Sequence, residues 1–397
     1  MKFQQFLKII VLIFTTLFFS CKNETNIFEA FEREPKEIQH LKKLLWQQKA
    51  EAKEIDFYFA DLFKNRNVNG AILVAQNDRI IYENAHGYSN YETKELLTVH
   101  SSFQLASVSK QFTAVAILML YERGLLNLTD SVQKFFPNFP YHNITIHQLL
   151  CHRSGLPAYT YFCENFTDRK TPIDAADVLK IMIEKQPQRY YPPDFKYTYS
   201  NTGYMLLSEI VAKVSGKSFS DFLNDSIFKP LGMKNTFLYS EKNSNLPSNV
   251  ELTTGYHSDW SEAYRTYQDG VFGDKGVYSS VEDLFRWDLA LNNGLLLLPE
   301  TLELAYTPHN KELSNEENYG YGWRISITES GEKMVFHGGW WRGYTSLMIR
   351  FPEKKTFVVI LCNKMNRSFQ INYHNLLHIF FPEDFNLMND SLVGVGD

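Results

Sequence analysis

Strand signals in this chain gather at its two ends, and helical signals fill the middle. Near the N-terminus, "GAILVAQNDRIIYENAHGY" reads as a hairpin: apolar Ala71–Ala75, a Gln76-Asn77-Asp78 turn, then mixed apolar and polar residues over Arg79–Asn84. The C-terminal third carries four more strand-like runs, "GYGWRISIT", "KMVFHGG", "YTSLMIRFP" and "TFVVILCN", separated by turn residues. Between the two sets, apolar spacing predicts helices over Ala175–Glu184, Thr202–Val214 and Phe219–Asn224, with Gly216 closing the second. The economical fold is α/β of the α+β type. One antiparallel sheet is built from both ends of the chain, flanked by helices and joined by a helical insertion domain. A ligand cleft is expected between sheet and insertion. No internal repeat is visible.

Composition narrows the partners. With 40 basic against 45 acidic residues and a formal charge of −5, the chain has no basic excess for nucleic acid. Its apolar content of 44% and aromatic content of 15% suit a compact core. No cofactor motif stands out, and no C-x-x-C pair suggests zinc or a thioredoxin-like site.

One helix start carries unusual chemistry. In "LASVSKQFTAVAIL" a single charge, Lys110, follows Ser107 by three residues and heads an apolar run closing at Gly124. On a helix the two share a face, and a lysine buried beside a serine hydroxyl is an activated nucleophile or a packing accident. S-x-x-K alone is weak: it recurs at Ser131, Ser226 and Ser330, where an exposed or capping serine is the plainer reading. Two further fragments follow in order. Tyr199-Ser200-Asn201 directly precedes an apolar helix, unlike the Y-x-N copies at Tyr82, Tyr88, Tyr141 and Tyr373. His337-Gly338-Gly339 ends an apolar strand and is the one H-x-G in the chain.

This ordered set resembles the serine β-lactamase and penicillin-binding protein superfamily, specifically its class C-like branch of peptidases and esterases. Supporting stretches, "TIHQLLCHRSGLP", "GDKGVYSSVEDLFRW" and "YGYGW", are similar to family segments, and the resemblance runs from about Asn69 to Asn363. It implies a serine hydrolase that forms an acyl-enzyme on an ester, amide or D-amino-acid peptide. Ser107 is then the nucleophile, and Lys110 and Tyr199 share the proton transfers. Asn201 hydrogen-bonds Lys110 and substrate, and His337 stands where many relatives carry lysine. Gly339 lets the substrate approach, and the N–H groups of Ser107 and Trp340 form an oxyanion hole. With H-G-G in place of K-T-G, weak β-lactamase activity at best is expected. A penicillin-binding D,D-carboxypeptidase is the rival enzyme, and a non-catalytic sensor with the same fold is the rival of another class.

The N-terminus reads separately. "MKFQQFLKIIVLIFTTLFFSC" has Lys2 and Lys8, an apolar core over Ile9–Phe19, and Ser20-Cys21. That core is too short for a comfortable membrane span, and the stretch resembles a bacterial lipoprotein signal. The expectations are lipidation at Cys21, export, and a lipid anchor holding the protein in the cell envelope, against the alternative of an uncleaved signal anchor. The resulting division is a signal over 1–20, a tether and helix over 21–66, the hydrolase domain over 67–370, and a C-terminal helix and tail over 371–397. Of the remaining cysteines, Cys151 and Cys163 are the pair placed by proximity for a disulfide, and Cys362 is left over. His374 and His378 lack the glutamate of an H-E-x-x-H site, so no metal is expected there. Glu282 and Asp283 read as charge at a helix start.

Overall fold

A computed structural model describes residues 52–61, 63, 68–240, 242, 246, 250–314, 317–328 and 331–366. The expectations for the leader and Cys21, for Ser330, and for Tyr373, His374, His378 and the 371–397 tail lie outside the described residues. No helix among the described residues is long and apolar enough to cross a membrane.

The N-terminal hairpin forms as expected from β1 (Gly70–Gln76) and β2 (Arg79–His86). Its turn residues Asn77 and Asp78 have φ of 51° and 61°, the left-handed backbone that a two-residue hairpin turn requires and these side chains tolerate. Two short pairings follow. β3 (Tyr88–Asn90) pairs β4 (Glu95–Leu96), and β5 (Phe103–Gln104) joins β6 (Phe237–Leu238) through β7 (Val277–Ser279). The C-terminal strands are β8 (Asn318–Tyr319), β9 (Arg324–Ile327), β10 (Lys333–Trp341), β11 (Tyr344–Phe351) and β12 (Thr356–Cys362). They complete a seven-stranded antiparallel sheet in the order β2-β1-β12-β11-β10-β9-β8, with Gly70 opposite Cys362. The first and last long strands therefore meet inside the sheet.

The strand expected over "GYGWRISIT" is interrupted. Gly320 to Trp323 lie between β8 and β9, and Gly322 has φ +88°. A Cβ on Gly322 would sit 2.8 Å from the Ala114 Cβ and 3.0 Å from the Lys110 carbonyl oxygen. The glycine is what lets this segment press against the central helix.

Strand residues alternate between two cores, as period two requires. Ile72, Val74, Met334, Phe336, Leu347, Ile349, Val358 and Ile360 face one side and pack with Ile55, Phe59 and Phe63 of an N-terminal helical segment. Ala71, Leu73, Val335, Met348, Val359 and Leu361 face the other, where the helices lie. Each large apolar side chain so buried stabilises the fold by roughly 1.5–3 kcal/mol. On the helical side α1 (Ser109–Glu122) is the central element and α2 (Asn201–Ser215) packs across it. α3 (Val281–Asn292) lies on β1 and β12. Asp283 in its first turn is buried and accepts from the Asn235 N–H at 2.7 Å and the Thr236 hydroxyl at 2.9 Å, so its role is local.

The disulfide expectation is overturned: Cys151, Cys163 and Cys362 are all free and buried. Cys151 ends one short helix and points its thiol at the His147 carbonyl, 3.0 Å away, while Cys163 sits on the next helix, Tyr159–Phe166. Closeness in sequence did not bring the two sulfurs together.

Candidate active site

Every residue from Ser101 to Leu120 is buried except Ser107. Ser107 lies in a 3-10 turn, Ala106–Val108, ahead of α1, so the α-helix begins two residues later than the sequence implies. Ala106 has φ +47°, a left-handed conformation that costs a non-glycine residue on the order of 1 kcal/mol or more. The turn is held by neighbours on three sides. The Leu105 N–H donates to the Val277 carbonyl at 2.9 Å, the Ser346 hydroxyl donates to the Leu105 carbonyl at 2.6 Å, and the Val108 N–H closes onto Leu105 at 3.1 Å. β10 passes so near that a Cβ on Gly339 would lie 2.3 Å from the Leu105 carbonyl oxygen and 3.0 Å from the Ser107 nitrogen.

Lys110 is fully buried, and its ammonium is surrounded by neutral acceptors. Nζ donates to Ser107 Oγ at 3.1 Å, to Asn201 Oδ1 at 2.8 Å and to the Asp274 carbonyl at 3.1 Å. Burial pulls its pKa down from the ordinary lysine value to about 7; the Asp274 carboxylate opposes that shift and the Arg324 cation adds to it. At neutral pH a substantial share of Lys110 is the free amine, which can accept a proton.

The start of α2 supplies the next two groups. Ser200 caps the helix by accepting from the Gly203 N–H at 3.1 Å, which fixes Asn201 in the first turn beside Lys110. Tyr199 precedes the cap, with its ring centroid 4.8 Å from Lys110 Nζ. Burial raises its phenol above the usual range, and a hydrogen bond with Ser107 works against that shift. Ser107, Lys110, Tyr199 and Asn201, read from separate fragments, thus meet at one point.

His337 and Trp340 stand differently. The His337 ring is 6.2 Å from that of Tyr199, and it is buried. Its Nδ1 bonds the Gly338 carbonyl at 2.6 Å and its Nε2 bonds the Tyr319 hydroxyl at 3.0 Å, so both ring nitrogens are occupied. Burial, with Arg324 and Lys110 nearby, holds its pKa well below the usual histidine range. It is neutral and does not replace a lysine cation. Trp340, one residue past Gly339, leaves 43% of its surface exposed. Arg342 occupies the left-handed turn to β11, packed 5.6 Å from the Trp341 ring.

Four groups at the site escape a reading of local pattern. His152 is buried with its ring 4.4 Å from that of Tyr199; its Nδ1 accepts the Ser200 N–H at 3.1 Å, which fixes the proton on Nε2. Burial, then Lys110, hold His152 well below its usual pKa range. Tyr319 bridges His152 and His337. The Arg324 guanidinium stands 5.8 Å from the Tyr199 ring and works against the rise in its pKa. Asp274 meets Lys110 through its carbonyl. The hints lay in "CHRSGLP" and "GDKG", where charged or titratable residues interrupt apolar surroundings. Among the described residues no cluster of three or more metal-ligating side chains occurs.

Comparison with known proteins places the chain as a whole. The Beta-lactamase family profile covers residues 50–379. Penicillin-binding protein 4* of Bacillus subtilis is 35% identical over 79% of this chain and 72% of its own length. Protein flp of Staphylococcus aureus is 28% identical, and the chain spans only 61% of it. Among solved structures, an octameric penicillin-binding protein homologue from Pyrococcus abyssi superimposes with a TM-score of 0.71 at 28% identity, covering 84% of this chain and 78% of that one.

Proposed function

The chain belongs to the Beta-lactamase family, a superfamily of serine hydrolases, and from that premise we propose that it forms an acyl-enzyme on Ser107. Its class within the superfamily is the class C-like one, and its substrate is an ester, an amide or a D-amino-acid peptide. One observation carries the reading: the accessible Ser107 hydroxyl lies 3.1 Å from a buried lysine amine whose pKa is about 7.

The neutral Lys110 amine takes the hydroxyl proton as Ser107 Oγ attacks the acyl carbon. Tyr199 remains a phenol at neutral pH because burial raises it, so it serves as the acid that protonates the leaving group. Its lost proton is restored from the Lys110 ammonium through the shared hydrogen-bond network. Asn201 holds Lys110 and offers its remaining amide N–H groups to the substrate. The N–H groups of Ser107 and Trp340 stabilise the oxyanion, an arrangement supported by the close passage of β10 beside the Ser107 nitrogen. Water then attacks the ester by the reverse route and frees Ser107.

The leader belongs to the same proposal: lipidation at Cys21 holds the hydrolase at the cell envelope. A penicillin-binding D,D-carboxypeptidase is the second reading, favoured by the name of the Bacillus subtilis relative. Against it stands His337, neutral and occupied where a cation is expected. The test is intact mass after exposure to a fluorophosphonate, with Ser107→Ala as control. The expected result is one adduct on the Ser107 peptide, absent in the variant; an unlabelled wild-type protein overturns the assignment. A parallel incubation with penicillin separates the two enzymes, because a stable adduct favours the carboxypeptidase.

A further inference from the structure

The Asp274-Lys275 dipeptide places a charged pair beside the lysine of the site. Both residues are buried. Gly273 and Gly276 flank them with φ of 101° and 100°, and a Cβ on Gly273 would lie 2.3 Å from the Tyr204 carbonyl oxygen. The Thr113 hydroxyl of α1 donates to the Gly273 carbonyl at 2.6 Å, which locks this loop to the helix bearing Lys110. Asp274 Oδ2 accepts from the Tyr159 hydroxyl at 3.0 Å, while Oδ1 lies 3.8 Å from Lys275 Nζ and has no hydrogen-bond partner. Lys275 donates to the Tyr159 oxygen and, at 3.1 Å, to the Val271 carbonyl.

We propose that Asp274 and Lys275 are positioning residues for Lys110: the Asp274 carbonyl anchors the amine, and the opposed charges of the two side chains set how readily it gives up its proton. The inference rests on Lys110 being the acylation base. Two charges buried only to hold a loop cost several kcal/mol that apolar residues would avoid, and a carboxylate oxygen with a 3.8 Å ion pair and no hydrogen bond makes a poor staple. A carboxylate beside a base stabilises its ammonium form, and a cation does the reverse. The other groups facing Lys110 are Ser107 from the turn, Tyr199, Asn201 and Tyr204 from α2 and its approach, His152, Arg324 from β9 and His337 from β10. Both histidines are neutral, which leaves Asp274, Lys275 and Arg324 as the charged groups, and burial lowers the Lys275 pKa as well, with the Asp274 carboxylate opposing that shift.

The two side chains therefore pull the lysine in opposite directions, a signature that a merely structural pair lacks. The test measures the pH dependence of fluorophosphonate acylation in the full chain and follows the Lys110 ε-carbon by NMR with labelled lysine, assigned through Lys110→Met. Asp274→Asn is expected to move both midpoints down by about one pH unit, and Lys275→Met to move them up by a similar amount. Unmoved midpoints, or midpoints that move the same way in both variants, overturn the proposal. If one variant fails to fold, the direction in the other decides. Failure of the hydrolase reading is separate: wild-type Ser107 then stays unlabelled while the NMR titration of Lys110 still reports.

Discussion

Lys110 and Arg350 are both buried cations, yet their surroundings differ in kind. Arg350, on β11, lies 3.4 Å from the Asp288 carboxylate of α3 and donates to the Tyr306 hydroxyl at 3.1 Å. Lys110 is held by a hydroxyl, an amide oxygen and a main-chain carbonyl. A buried guanidinium stays charged, and Tyr306 and the Asp288 carboxylate hold the Arg350 pKa up against burial. Neutral acceptors hold a cation in place without fixing its charge, and Lys110 falls to about 7. The comparison separates a buried charge that binds elements together from one kept ready to change.

The strongest way to break this contrast is to remove each cation in turn. Lys110→Met is expected to lower acylation of Ser107 by about 10³-fold or more while leaving the fold as stable or more so, measured by labelling rate and urea unfolding. Arg350→Met is expected to do the opposite. It should lose roughly 3–5 kcal/mol of stability by stranding Asp288, with the labelling rate of the folded protein unchanged. Replacing Asp288 by Leu in the same variant should recover much of that loss. If Lys110→Met destabilises as strongly as Arg350→Met, the distinction fails.

The pH dependence of stability sharpens the contrast. The folded pKa of Lys110 lies below its unfolded value, so the unfolded chain binds the extra proton between about pH 7 and pH 10. Unfolding free energy attributable to Lys110 should therefore rise with pH across that window, by up to about 1.4 kcal/mol per unit. The difference between wild-type and Lys110→Met denaturation curves isolates it, and a flat difference would contradict the depressed pKa. The smallest effect concerns the wall of the site. Gly339→Ala puts a methyl group 2.3 Å from the Leu105 carbonyl oxygen, and the displaced turn should slow acylation about 10-fold and cost roughly 1–3 kcal/mol of stability.

The parts legible in the sequence are those written in short local patterns. Alternation and turn residues revealed the hairpin and the C-terminal strands, and the spacing of Ser107 and Lys110 brought them to one turn. Tyr199 and Asn201 were legible because an apolar helix follows them directly. His152, Asp274 and Arg324 were not, because each enters from a distant segment with no periodicity tying it to the serine. His337 was legible in place but not in state: only the fold reveals that Tyr319 and Gly338 occupy its nitrogens. The cysteines misled because sequence distance says little about which way two side chains face on successive helices.

The pairing of β1 with β12 has a consequence for the order of events during synthesis. Asn69, at the head of β1, hydrogen-bonds Asn363 across 294 residues of chain. β1 thus emerges well before its partner β12, while β2 alone covers its other edge. The sheet cannot close before β12 is made, and such long-range pairing makes for slow folding. Until β12 emerges, a nascent chain of this design keeps an unpaired apolar edge on β1 that a chaperone can hold.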